Sequence, residues 1–311
     1  MRLSRVRSGL SESFDDVAVI ALDSDGNTLF SSGSVDQPMF YRSAIKPLQA
    51  IASRRFGLDL PAEYLAIACA SHGGFPTHLA LVGQILSTHG YTPADLRCTP
   101  GRPLATDADR YQASRGRIAP ERIFHNCSGK HAGWLAACAV ADLDPSTYLD
   151  PQHPLQVASI DTMREYSGAD PRPVGVDGCG APTLRGTIRT LATAFVKLTT
   201  EPEAQPVATA MTAYGALVAD NQRPDGRLAL TWGGPVKVGA EGSVAMARNG
   251  VAIAAKSESG TSEMAVAGAL HAAQIIGVLA DSMASGLKNE ISPPVFGGGR
   301  QVGRTIVVEE S

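Results

Sequence analysis

Two patterns of apolar and polar residues divide the chain. Near its start, VAVIALDSDGNTLFSSG (17–33) sets two apolar runs around Asp25–Gly26. An Asp-Gly pair between β-branched and apolar residues predicts a hairpin. A second hairpin is predicted late, in SVAMARNGVAIAAK (243–256), turning at Asn249–Gly250. TIVVEE (305–310) predicts a last strand. Between these ends the apolar spacing becomes helical. EYLAIACASHGG (63–74), THLALVGQILSTHG (77–90), KHAGWLAACAVAD (130–142) and PVATAMTAYGALVADN (206–221) are rich in alanine, a strong helix former. One more long helix is predicted over about 263–287. Regular strand–helix alternation is missing, which argues against a parallel doubly wound sheet. The expected fold is α/β of the α+β kind. An antiparallel sheet from both chain ends is flanked by helices, with a helical lobe in the middle, all in a single domain over 1–311.

Composition narrows the partners. The chain has 311 residues, 44% of them hydrophobic, and a formal net charge of -3. It can bury a substantial core, and nothing in it resembles the basic surface that nucleic acid requires. The most apolar stretch, 265–284, is interrupted by His271, Gln274 and Asp281, so it reads as a buried helix and not a membrane span. The basic N-terminus, MRLSRVRSGLSESFDD, has no apolar signal-peptide core. Five cysteines, an odd number, argue against a disulfide framework and for free thiols or metal ligands. A cytoplasmic location is expected, with no membrane partner.

Candidate chemistry starts at YRSAIKPLQA (41–50). Pro47 lacks an N–H and is tolerated in the first turn of a helix. Ser43 and Lys46 are then neighbours three residues apart on that helix. A serine becomes a nucleophile when a base takes its proton. Lysine can be that base once burial or positive charge, here from Arg42, lowers its pKa. The bland reading is a serine cap and a solvated lysine. In CASHGGFP (69–76), Ser71 and His72 stand where an apolar run breaks into a Gly-Gly turn, the usual place for functional side chains. Lys256 ends the strand VAIAAK. It is either a charged guard on an edge strand or a second lysine over the same cleft, followed by KSESG, a loose form of a Lys-[Ser/Thr]-Gly strand.

Two further turns carry thiols. FHNCSGKHAG (124–133) holds Asn126, Cys127, Lys130 and His131, and VDGCGAPT (176–183) holds Asp177 and Cys179. Two thiolates and one further ligand suit zinc with an open position. On residue type, His131 or His125 is the expected third ligand. Reduced thiols in tight turns are the alternative. Cys69 and Cys138 read as buried thiols.

Taken in order, RSAIKPLQA, CASHGG, HNCSGKHAG, VDGCGAPT and AIAAK resemble the rhizobial-type L-asparaginases, the asparaginase II family. The resemblance implies a fold similar to serine β-lactamases and glutaminases. It implies hydrolysis of the side-chain amide of L-asparagine through a Ser-Lys activated serine and an acyl-enzyme. Ser43 with Lys46 resembles one Ser-Lys pair, and Ser71 with Lys256 a second. Cys127, Lys130 and Cys179 match the family's zinc ligands, which replaces the histidine with Lys130. Arg42, Asp177, His72 and Asn126 are the substrate-binding candidates. A homodimer is implied. Two departures stand out: Ser259 occupies an acid's place after the late lysine, and SESFDD lacks a histidine expected near Phe14. The rival readings are another Ser-Lys amidohydrolase, such as a glutaminase or a penicillin-type enzyme, and a zinc-stabilised amino-acid-binding protein.

Overall fold

The computed structural model describes residues 1–308. Eight strands form one sheet: β1 (Arg2–Arg7), β2 (Leu10–Leu22), β3 (Thr28–Ser32), β4 (Val236–Gly239), β5 (Ser243–Arg248), β6 (Val251–Ser257), β7 (Pro294–Gly297) and β8 (Arg300–Val308). Every pairing is antiparallel, in the order β7-β8-β1-β2-β6-β5-β4, and β3 also pairs with β2. Both expected hairpins are present. Asn249 and Gly250 take positive φ at the tight turn between β5 and β6, the twist that a two-residue hairpin needs. The expected last strand is β8, and Glu309 and Glu310 lie outside the described residues. Strands β1, β4 and β7 were not evident from apolar pattern.

Both faces of the sheet are buried, with period-two alternation. Val17, Val19 and Ala21 of β2 and Ile253 and Ala255 of β6 pack in one core. Ala18, Ile20 and Leu22 with Ala252 and Ala254 pack in the other, which continues into the helical middle. Alanines on that second face let a helix approach closely.

The helices that position the site are α1 (Lys46–Arg54), α2 (Ala62–Ala68), α3 (Pro76–Thr88), α4 (Ser128–Ala141), α5 (Ile188–Thr200), α6 (Pro224–Trp232) and α7 (Ser262–Ile275). Helix α5 covers the alanine-rich face and α7 the other. The long helix expected over 263–287 is instead α7 followed by two short helices, Asp281–Gly286 and Lys288–Ile291. Gly277, at φ +73°, turns the chain out of α7. The run 206–221 likewise breaks at Tyr214, whose φ of -119° and ψ of 42° leave the helical region, and Gly215 then packs against the Ala229 carbonyl, where a Cβ would sit 2.9 Å from the oxygen. No helix among the described residues is long and apolar enough to cross a membrane.

Candidate active site

Ser71 follows the end of α2, in an extended segment that leads to Pro76 of α3. Its backbone is fixed on both sides. The Ser71 N–H donates to Val218 O at 2.9 Å, and Arg223 Nη2 donates to Ser71 O at 2.7 Å. Helix α4 crosses just beneath. A Cβ on Gly129 would lie 2.2 Å from Ile67 O, so only glycine permits that approach.

The Ser71 hydroxyl lies between two buried amines. Lys46 Nζ is 3.0 Å from Ser71 Oγ and Lys237 Nζ is 2.9 Å from it. Lys46 also donates to Ala70 O, and Lys237 to Val238 O. Lys46 is the first residue of α1, after a three-ten turn at Arg42–Ile45, and Pro47 sits in the first helical turn as expected. Lys46 itself has ordinary helical geometry. The unusual backbone is that of Arg42, at φ +53°, a left-handed conformation that costs a non-glycine residue about 1–3 kcal/mol. Burial pushes the Lys237 amine down to about 7, helped by the charge of Lys46. Burial also lowers Lys46, against the opposing pull of the Cys127 sulfur. Two ammonium groups beside one buried hydroxyl repel each other, which favours the neutral, proton-accepting form of one lysine.

This arrangement corrects the expected pairing of Ser71 with Lys256. The Lys256 amine donates to Ser257 O, beside its own strand. The register pairs Lys237 with Ala245 and Lys256 with Ser243. Lys256 is therefore two strands across, roughly 10 Å, and two residues along, about 7 Å, from Lys237. Lys46 serves Ser71, and no hydrogen bond joins it to the Ser43 side chain among the described residues. Ser43 lines the same cleft as Ser71 and Asn126, and its hydroxyl has no hydrogen-bond partner among the described residues. His72 is also corrected as a substrate contact. It is fully buried, with Nε2 on Ser128 Oγ at 2.9 Å and its ring stacked on His78. Its backbone N–H is bonded to Asn126 O, so it braces the cleft from below.

The two thiol-bearing turns meet. Lys130 Nζ lies 3.4 Å from Cys179 Sγ and 4.4 Å over the Trp134 ring. A hydrogen bond from the Cys179 thiol drives the Cys127 sulfur toward thiolate, with Lys46 and Lys130 adding to the effect. The same bond and burial hold the proton on Cys179. Burial disfavours the Lys130 ammonium, but the two sulfurs outweigh it and raise its pKa. All five cysteines are free and buried. The described residues contain no cluster of three His, Cys, Asp or Glu side chains arranged for a metal. A donor set of two sulfurs and one amine is nevertheless chemically suited to zinc, provided the amine gives up its proton. His131 is not the nitrogen at this place. Its Nδ1 is bonded to Tyr148 Oη at 2.8 Å, while Nε2 is buried without a partner among the described residues. His125 Nδ1 accepts from the Cys127 N–H. Next to the sulfurs, Arg42 Nε donates to Asp177 Oδ1 at 2.8 Å, and Arg42 also faces Glu241 at 3.8 Å.

The model of the L-asparaginase II family matches residues 3–307. The chain belongs to the asparaginase II family. It is accordingly an amidohydrolase. No curated protein matches it. Among solved structures it is similar to Mglu, at 16% identity and a TM-score of 0.47, covering 86% of this chain and 69% of that one. Mglu in its tris and glutamate form gives 15% identity and 0.47, covering 88% of this chain and 62% of that one. A Bacillus glutaminase crystallised in 4.3 M NaCl gives 13% and 0.39, covering 84% and 91%.

In this asparaginase II family member Ser259 meets the segment around Phe14 through Asp15. Asp15 lies beside Phe14 on β2, and its Oδ2 accepts from the hydroxyls of Ser257, at 2.8 Å, and of Ser259. Its Oδ1 accepts from the Ser259 N–H at 3.1 Å. A carboxylate from the neighbouring strand thus contacts Ser259 directly. Lys237, Arg223 and Asp225 escaped the reading of the sequence. The available signal was PVKVGAEG, a lone lysine inside a short apolar strand before a glycine turn.

Proposed function

We propose that the protein is an L-asparaginase that hydrolyses the side-chain amide of L-asparagine by Ser-Lys chemistry. The observation that carries this is the Ser71 hydroxyl held between Lys46 and Lys237. A neutral lysine on one side accepts the serine proton, and an ammonium on the other supports the charge left behind. Lys237, lowered to about 7, suits the base and Lys46 the cation. Ser43 is the attacking group in this reading, because it lines the cleft with a hydroxyl that has no partner among the described residues, while the Ser71 hydroxyl is committed to two lysines. Ser71 then relays the proton. The Ser43 oxygen bonds the amide carbon, the C–N bond breaks, and ammonia leaves with the relayed proton. Water next attacks the acyl-enzyme and releases aspartate.

The short lysine contacts favour a second reading, in which Ser71 itself attacks. The oxyanion is not met by the N–H groups of Ser71 or His72, which are already bonded to Val218 O and Asn126 O. Arg42 and Asp177 form a ready ion pair for the α-carboxylate and α-ammonium of the amino acid. Cys127, Lys130 and Cys179 would hold zinc, which when bound would supply a Lewis-acidic centre with an open position for orienting substrate beside that pair. The test is ammonia release from asparagine and glutamine by wild type, Ser43→Ala and Ser71→Ala, with mass spectrometry of the trapped acyl-enzyme. Release from asparagine, lost in both variants with the acyl group on Ser43, is the expected result. Acylation of Ser71 would select the second reading, and no release by folded wild type would sink the assignment.

A further inference from the structure

The cleft that holds both serines is lined by a charged pair to which the reaction above assigns no contact with asparagine. It is a concavity of about 270 Å³ whose lining includes Ser43, Ser71, Asn126, Arg223, Asp225 and Val238. Arg223 stands just before α6, and Asp225 is in the helix's first turn. Arg223 Nε and Nη2 each lie 3.2 Å from an oxygen of Asp225, and Nη2 also donates to Ser71 O at 2.7 Å. Asp220, almost fully buried, approaches Nε at 3.5 Å. The guanidinium is thus held in one plane by two carboxylates and a carbonyl. Its Nη1, which carries two N–H groups, has no hydrogen-bond partner among the described residues. A guanidinium fixed in this way, with one edge open beside a nucleophile, suits a carboxylate.

The two ion pairs are associated with different ends of the buried network. Arg42–Asp177 lies by the sulfurs, with Asp177 two residues from Cys179 and acting on Lys130. Arg223–Asp225 acts on Lys237 and holds the Ser71 carbonyl. An amide substrate must straddle the nucleophile, with its acyl half on one side and its nitrogen on the other. We infer that Arg223 is a subsite for a carboxylate carried on the amide nitrogen, so that β-aspartyl amides of amino acids are substrates as well as asparagine. This rests on the reading above, in which Arg42 and Asp177 receive the aspartyl half. The chemistry balances as for asparagine. The C–N bond breaks, the amino acid leaves with the relayed proton on its nitrogen, and water completes the release of aspartate.

The experiment compares kcat/KM for asparagine, β-aspartylglycine and β-aspartylglycinamide. The last two differ only in the carboxylate. Wild type is expected to cleave β-aspartylglycine at least about tenfold better than the glycinamide, since a site built to pair a group rejects the analogue that lacks it. Arg223→Met and Arg223→Lys are expected to bring that ratio toward one, whatever they do to the absolute rate through Ser71. The wild-type ratio needs no variant, so a poorly folding substitution leaves the inference testable. Asparagine turnover with no cleavage of β-aspartylglycine, no preference for the carboxylate, or a preference unchanged in both variants would overturn the subsite and spare the asparaginase reading. Failure on all three substrates would overturn both.

Discussion

Lys237 Nζ lies 2.9 Å from Ser71 Oγ, across 166 residues of sequence, and both groups are buried. That contact converts an isolated lysine in a short strand into a candidate base. Lys237→Met should keep the fold, since it removes a costly buried amine, and should lower kcat/KM by about 10²–10⁴, the usual range for general acid–base catalysis. Ammonia release and a thermal melt on the same sample check both halves.

The pH dependence follows from the same residue. Burial lowers its folded pKa to about 7 from the ordinary lysine value of 10.5. The neutral, proton-accepting form therefore grows as pH rises through about 7, and kcat/KM should rise with it. Between about 7 and 10.5 the unfolded chain binds the extra proton, so this group makes stability increase with pH in that window. A pH–rate profile in which wild type shows no rise through 7 would remove Lys237 from the base role.

Removal of metal addresses the sulfur end. Cys127→Ser and Cys179→Ser are expected to abolish bound zinc, measured by elemental analysis. They should raise KM for asparagine more than they reduce kcat, because the sulfurs adjoin the Arg42–Asp177 pair. A collapse of kcat at saturating substrate, with KM unchanged, would count against an orienting role.

Asp15 should behave as the hub of a small polar cluster. Asp15→Ala removes the carboxylate that accepts from the buried Ser257 and the exposed Ser259, which keep a 2.9 Å hydrogen bond to each other, and is expected to cost about 1–2 kcal/mol for the lost charge-assisted bonds. Ser259→Ala removes one donor and should cost about 1 kcal/mol. Urea unfolding measures both.

Gly129→Ala tests the crossing that places Ser71. The added Cβ would sit 2.2 Å from Ile67 O, a backbone atom that cannot swing aside. A loss of about 1–3 kcal/mol or more is expected from overpacking, together with reduced activity because α2 leads directly into Ser71. An unchanged melting temperature would show that α4 can shift at little cost.

Much of this protein was legible in one dimension. The hairpins at Asp25–Gly26 and Asn249–Gly250 are local events, decided by residues that tolerate positive φ between apolar runs. Pro47 marked the first turn of α1 for an equally local reason, its missing N–H. The thiols of Cys127 and Cys179 stood out because glycine-rich turns seldom carry them. The order of these segments was enough to raise the family. Partnership between distant side chains was not legible. Lys256 and Lys237 are both lysines in short strands of one sheet, and only the register, two strands apart, decides which reaches Ser71. Tertiary packing likewise joined Asp15 to Ser259, set Arg223 on the Ser71 carbonyl, and buried His72 where a turn suggested exposure. Periodicity reports which face a residue occupies, whereas a catalytic contact depends on distances of about 3 Å between elements that the chain brings together only when it folds.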